Sequence, residues 1–482
     1  MKKNVVIISL SVLICIIIGL LGGLISLAIT NNNLKKDFED LKIQKEDIDN
    51  KYNDLKSEYD KITGKSETYD FYAVVGTMPT LYATLNAYKN KNPNTYMWFY
   101  RGNTISKEHS ADFIHYFETQ SDTNAESIYD AHIMRNKVME ILDKNPNAKF
   151  NVYVDDIRLG FILDIFVSVG VNFEDMQIII LSDGTHTYAS YQKLNAELIK
   201  GHANKWNEYL QKSIADRDNK NFEPYDLWTN EFMEMSFYLS TLSNVSYWIQ
   251  NPEYLSNNDA AVLAMRYEMN IVHKSPKAIY DNMDEQTRAD YQKVVLANAL
   301  VGNDELNTLE DAVNYFNDKF LNKEKEIVLI LGSGNNSLNG NKGYIDNTIA
   351  FYTPTVDSAI NTIVHFKGKD YTIAAGADSV TVDGKNYKIG EIAVNLYFKG
   401  HPQYPASEEL QEYFAENEIL NLPARTPVEV LFWMFDVKVG GYQSTSFLSC
   451  YAGQVEFVYG AFTDAALLAM KDLGFFDNTA IL

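Results

Sequence analysis

Glu326-Ile-Val-Leu-Ile-Leu331-Gly332-Ser333-Gly334-Asn335-Asn336-Ser337 is a short apolar run that ends abruptly in a glycine- and hydroxyl-rich loop. The run is too short for a helix and too continuous for a strand with one wet face, so it reads as a strand buried on both sides of a parallel sheet. A loop of this composition after such a strand lets backbone N–H groups approach a phosphate or a sugar. By itself that loop is a weak signal, because ordinary turns use the same residues.

The same pattern recurs further along the chain. Val380–Tyr387 carries Asp383-Gly384 between alternating residues, which predicts a hairpin. Ile392–Phe398 is a strand ending in Lys399-Gly400-His401-Pro402, and Val437–Gly441 leads into Tyr442-Gln-Ser-Thr-Ser446. Residue type suggests the chemistry. His401 could donate a hydrogen bond or proton to a departing phosphate, and Lys399 adds charge. Ser444 and Thr445 could bind phosphate oxygens, and Glu429 could take ribose hydroxyls.

Towards the N-terminus the alternation resumes. Phe71–Val75, Met97–Tyr100, Phe150–Val154 and Met176–Leu181 read as buried strands, separated by helical stretches such as Ile157–Val167. The turn Gly76-Thr77-Met78-Pro79 follows the first of them. Strand–helix alternation predicts a parallel sheet wrapped by helices, with ligands at the carboxyl ends of its strands. Two such ends carry polar residues: Asp155-Asp156, and Ser182-Asp183-Gly184-Thr185-His186. Asn204–Asp318, between the two alternating regions, reads as mainly helical.

Residues 5–30 carry no charge and are rich in Ile, Leu and Val. As a helix they would reach ~39 Å, enough to cross ~30 Å of hydrocarbon, so a single-pass membrane anchor is expected. Lys2 and Lys3 before the span, and Lys35, Lys36, Lys42 and Lys45 after it, leave its orientation open. Leu34, Leu41, Ile48, Leu55 and Ile62 then recur every seven residues, with Phe38, Tyr52 and Tyr59 interleaved. That row predicts a coiled-coil stem over 31–66 and association of copies through it.

The 482 residues have a net charge of −22, which excludes a nucleic-acid backbone as partner. The two cysteines, Cys15 and Cys450, cannot form a disulfide framework, because Cys15 lies inside the apolar span.

Taken in order, these motifs resemble those of the bacterial sialyltransferases that carry an acidic-Asp-Gly and a Lys-Gly-His-Pro motif. Tyr397-Phe398 before Lys399-Gly400-His401-Pro402 matches the second fully. Asn421-Leu-Pro-Ala424 with Val428-Glu429-Val430-Leu431 is similar to its Pro-Ala and Glu-Val-Leu segment. Val439-Gly440-Gly441 with Ser444-Thr445 is similar to its Val-Gly-Gly and Ser-Ser turn. Tyr238-Leu-Ser-Thr241 and the stretch from Val294 to Gly302 are also similar. The resemblance runs from Tyr69 to the C-terminus.

The resemblance implies an α/β chain of GT-B type, two Rossmann-like domains facing a cleft, behind the anchor (1–30) and stem (31–66). The acceptor-side domain is expected over 67–228, completed by 463–482, and the donor domain over 229–462, with crossovers near Thr229 and Phe462. The implied reaction is inverting transfer of sialic acid from CMP-sialic acid to a galactose-type hydroxyl, with no metal and no cofactor. His401 would protonate the CMP phosphate beside Ser444 and Thr445. Lys399, Gly400 and Pro402 would frame the cytosine, Glu429 the ribose, and Gly332 and Ser333 would open the donor loop.

One position departs from the pattern. The first acidic residue of the family motif, its base, is Ser182 here, and only Asp183 is acidic. Either Asp183 is the base, or His186, Asp155 or Asp156 replaces it, or catalysis is lost. The alternatives are thus a transferase for another CMP-activated sugar, or a sugar- or nucleotide-binding protein on a membrane stem.

Overall fold

The computed structural model describes residues 51, 67–99, 105–118, 124–218, 235–255, 258–300, 306–402 and 404–482. The expected anchor, the stem apart from Lys51, and the crossover at Thr229 lie outside the described residues. Among the described residues no helix is long and apolar enough to cross a membrane. Tyr69–Glu140 with Phe150–Leu482 form one compact unit containing the two large sheets. In the other, Met1–Thr68 with Ile141–Lys149, the Lys149 N–H donates to Glu67 O at 3.0 Å.

The first sheet is built from β1 (Thr68–Val74), β2 (Thr95–Phe99), β3 (Ile114–Tyr116), β4 (Lys149–Asp155), β5 (Gln177–Leu181), β6 (Val245–Ile249) and β7 (Ile271–His273). Their spatial order is β3-β2-β1-β4-β5-β6-β7, and the pairs β1–β2, β2–β3, β4–β5, β5–β6 and β6–β7 are parallel. The strand order reverses between β1 and β4, which opens the crevice at their carboxyl ends to a ligand. β1 is buried at every position after Thr68, as a central strand covered on both faces must be.

The second sheet begins with β8 (Ile327–Leu331), buried throughout. A small β insertion follows: β9 (Thr355–Val356), β10 (Ile363–Phe366), β11 (Lys369–Thr372), β12 (Ser379–Val382) and β13 (Lys385–Lys388). The β12–β13 hairpin turns at Asp383 and Gly384, with φ of 49° and 79°, as the Asp-Gly pair predicts. β14 (Asn395–Lys399), β15 (Leu420–Leu422), β16 (Lys438–Gly441), β17 (Val455–Val458) and β18 (Ala480–Ile481) complete a parallel sheet of order β15-β14-β8-β16-β17-β18. Gly441 lets β16 lie against β8. Its φ is 114°, and a Cβ there would fall 2.5 Å from Leu331 O.

Two expectations need correction, and the helical reading of Ile157–Val167 holds in refined form. The first sheet does not stop at 228, because β6 and β7 lie within the stretch read as helical and add two strands to it. Val245-Ser-Tyr-Trp-Ile249 is buried except at Ser246, and it is the packing against β5 that makes it a strand. Ile157–Val167 is not a regular α-helix. It contains a π-helical turn, Ile162–Phe166, followed by a 3₁₀ turn, Val167–Val169. Finally, the C-terminal segment serves both halves. The helix Ala465–Asp472 packs on the helix Thr185–Gln192 of the first half, yet β18 pairs with β17 in the second sheet.

Candidate active site

At the carboxyl edge of the first sheet the two adjacent aspartates have no freedom. Asp155, fully buried, accepts the Val75 N–H at 2.5 Å and the Ile157 N–H at 3.2 Å, so its carboxylate ties β4 to the end of β1. Burial pushes its pKa up to about 7 against the pull of Arg158. Asp156, equally buried, accepts the Thr187 hydroxyl and the Tyr247 hydroxyl, each at 2.9 Å. Burial raises this carboxyl too, opposed by His186, those two hydroxyls and the Asp183 N–H. Both side chains are committed to holding the loops that surround the edge.

Ser182, the position the resemblance assigns to an acid, is 3% exposed, and its N–H donates to Trp248 O at 3.1 Å. Asp183 is half-buried and turns the other way. Its carboxylate rests against Gly76, where a Cβ would lie 1.7 Å from Oδ1. Gly184 follows with φ 83° and is the N-cap of the helix Thr185–Gln192. His186, the second residue of that helix, pairs its Nε2 with Ser190 Oγ at 3.1 Å. Of the three carboxylates among the base candidates, Asp183 is thus the one that is not fully buried.

The donor candidates collect at the carboxyl ends of β8, β14 and β16. The Gly332 N–H donates to Lys399 O at 2.9 Å, and the Tyr442 N–H to Leu331 O at 3.0 Å, so three loops meet at one point. A Cβ on Gly332 would strike the Phe398 ring at 2.7 Å and sit 3.2 Å from the Gly400 Cα. Ser333 Oγ accepts the Asn335 N–H at 3.1 Å.

Lys399 is 4% exposed. Its Nζ donates to Gly400 O at 2.8 Å and to Ala424 O at 2.6 Å, joining the Lys-Gly-His-Pro loop to the Asn421–Ala424 segment. Burial draws its pKa down to about 8, with the Glu429 charge pulling it back. Lys399 is therefore a bolt between two loops.

His401 is half-buried; its ring tilts over Tyr404 at 5.0 Å and its O accepts the Tyr404 N–H at 3.0 Å. Pro402 beside it is also half-buried. Glu429, in the first turn of the helix Val428–Met434, accepts the Ser446 hydroxyl at 2.6 Å. Ser444 caps the short 3₁₀ segment Thr445–Ser449.

The two edges meet. The Thr445 side chain lies against Gly184, where a Cβ would sit 3.2 Å from Thr445 Cγ2. Beyond β6, Gln250 Nε2 donates to Leu448 O at 2.7 Å and Ser449 Oγ at 3.2 Å, and Asn251 Nδ2 to Leu448 O at 2.9 Å. The acidic-Gly turn of one sheet and the hydroxyl-rich turn of the other are therefore in direct contact. Gln250 and Trp248 do not read as site residues in the sequence, and Gly76 reads only as part of a turn. Trp248 at the end of an apolar run was the available signal, but the run lay in a stretch read as helix.

Solved structures share this fold. An α/β-galactoside α-2,3-sialyltransferase of the luminous marine bacterium Photobacterium phosphoreum aligns with TM-score 0.56 at 15% identity, covering 86% of this chain and 99% of that one. The chain has the fold of the bacterial GT-B sialyltransferases. A Photobacterium damselae sialyltransferase GT-B domain gives TM-score 0.56 and 15% identity, over 86% and 99% of the two chains. A Vibrionaceae Photobacterium 2,6-sialyltransferase, solved in a ternary complex with CMP and lactose, gives 0.55 and 13%, over 86% and 78%. No family model matches the chain, and no curated protein matches it significantly in sequence.

Proposed function

We propose that this chain is a glycosyltransferase that moves sialic acid from CMP-sialic acid to a hydroxyl of a galactose-type glycan, with inversion and without a metal. The observation that carries the reading is the contact of Thr445 with Gly184, which puts the donor-type turn beside the only candidate base with a half-exposed carboxylate. Asp183 takes the proton of the attacking hydroxyl as the bond to the anomeric carbon forms. The CMP phosphate departs with the bonding electrons, and His401 protonates it, with Ser444 and Thr445 donating to its oxygens. Lys399, Gly400, Pro402 and Glu429 bound the nucleoside. The structural likeness to a sialyltransferase solved with CMP and lactose supports this assignment of sides. The uncharged sequence of 5–30 and the heptads of 31–66 support a membrane-anchored, self-associating enzyme.

The test is incubation of the detergent-solubilised full-length chain with CMP-sialic acid and galactose-terminated acceptors, following CMP release and acceptor mass. A mass gain of one sialic acid per acceptor, unchanged by a chelator, is expected. CMP binding with no transfer to any acceptor overturns the enzymatic reading.

A further inference from the structure

At the carboxyl edge of the first sheet Lys274 forms no ion pair with a described carboxylate. Lys274 directly follows β7, its N–H donating to Ile249 O at 3.0 Å. Its Nζ lies 3.5 Å from the centre of the Trp248 ring. Among the described residues no carboxylate is within ion-pair distance of it, and the charge it feels most is a second cation, Lys89. The chain has 64 acidic against 42 basic residues, so carboxylates are the abundant partner, and the fold leaves this ammonium without one.

Its position is close to Ser182 and the carboxyl edge of the first sheet. The Tyr82 hydroxyl donates to Lys274 O and is also bonded to the Ser182 side chain, one residue before Asp183. Trp248 is the β6 residue paired with Leu181 at the same edge. An indole face replaces part of the lost hydration of an ammonium but offers its three N–H groups no oxygen. Half-burial and Lys89 draw the lysine pKa down to about 8, the direction an arriving anion would reverse.

We propose that Lys274, laid on Trp248, recognises a carboxylate of the acceptor, so that the acceptor is an acidic glycan with a carboxylate close to the hydroxyl that reacts. This rests on the reading of the first sheet as the acceptor side. It names a substrate class that the fold alone does not.

The experiment uses the full-length chain, a neutral galactose-terminated disaccharide and its uronic-acid counterpart. Binding is read by calorimetry, and transfer from CMP-sialic acid by product mass. The acidic disaccharide is expected to bind about tenfold or more tightly, the size of one charge-assisted hydrogen bond. In Lys274→Met that ratio falls to about one, and Lys274→Arg retains it. High salt narrows it in the wild type. Equal binding of the two disaccharides by the wild type overturns the proposal. So does an equal loss of transfer to both acceptors in Lys274→Met, which would place the lysine on the carboxylate of the donor sugar. A Lys274-dependent acidic preference with no transfer to either acceptor upholds the anion site and removes the transferase reading instead.

Discussion

The Asp183 carboxylate occupies the space that a side chain at residue 76 would fill: a Cβ on Gly76 would lie 1.7 Å from Asp183 Oδ1. Gly76 itself has an ordinary extended backbone, φ −77° and ψ 164°, so an alanine is tolerated by the main chain. Gly76→Ala should therefore evict the carboxylate and leave the fold intact. Transfer is expected to fall ~10²-fold, the usual cost of a catalytic group displaced by about an ångström. The melting temperature should stay close to that of the wild type. A fully active Gly76→Ala would separate Asp183 from the chemistry.

Asp183→Asn removes the proton acceptor while keeping its shape. A loss of ~10²–10⁴ in transfer rate is expected. CMP affinity should not change, because the proposed nucleotide site is built from residues of the second sheet. Calorimetry with CMP beside the transfer assay checks both halves. If His186→Ala abolishes transfer and Asp183→Asn does not, the base is the histidine.

His401→Ala should slow transfer ~10²–10³-fold by removing the donor to the leaving phosphate. CMP should also bind more weakly, which distinguishes this variant from Asp183→Asn. The His401 ring is half-buried and lies on Tyr404 at 5.0 Å, so stability is expected to change little.

Asp155 makes a pH prediction. Its folded pKa, about 7, lies above the ordinary carboxylate value of 3.8 because the group is desolvated. The native state then binds more protons than the unfolded one between about pH 4 and 7. The contribution of Asp155 is fully present below pH 4 and is lost as pH rises towards 7. Measured against Asp155→Asn, the wild type should lose stability across that window. Denaturant titrations at pH 4.5, 5.5 and 6.5 check the slope, and a rising difference would show the carboxyl to be better solvated than its burial implies.

Reading the residues located four of the seven strands of the first sheet and three of the six of the second, because a strand buried on two faces reads as a continuous apolar run. Ile327–Leu331 and Gln177–Leu181 are such runs and could be little else. The Asp383-Gly384 turn was equally legible, since two consecutive positive φ angles select those residues locally. Val245–Ile249 was not, because four apolar and aromatic residues around one serine fit a helix as well as a strand until a partner strand is present.

The site shows the same division. The sequence by itself determined which residue types end the strands: Asp155-Asp156, Ser182-Asp183-Gly184, Lys399–Pro402 and Ser444-Thr445. Only the tertiary structure decided what each does. It spends Asp155 on the Val75 N–H and Asp156 on Tyr247 and Thr187, and it sets Lys399 between two carbonyls. It seats Asp183 in the hollow of Gly76 and sets Thr445 against Gly184, across 261 positions of chain. Those contacts join residues far apart in sequence, and no local propensity or spacing encodes them. They follow from the strand order of the two sheets and the way their carboxyl edges meet.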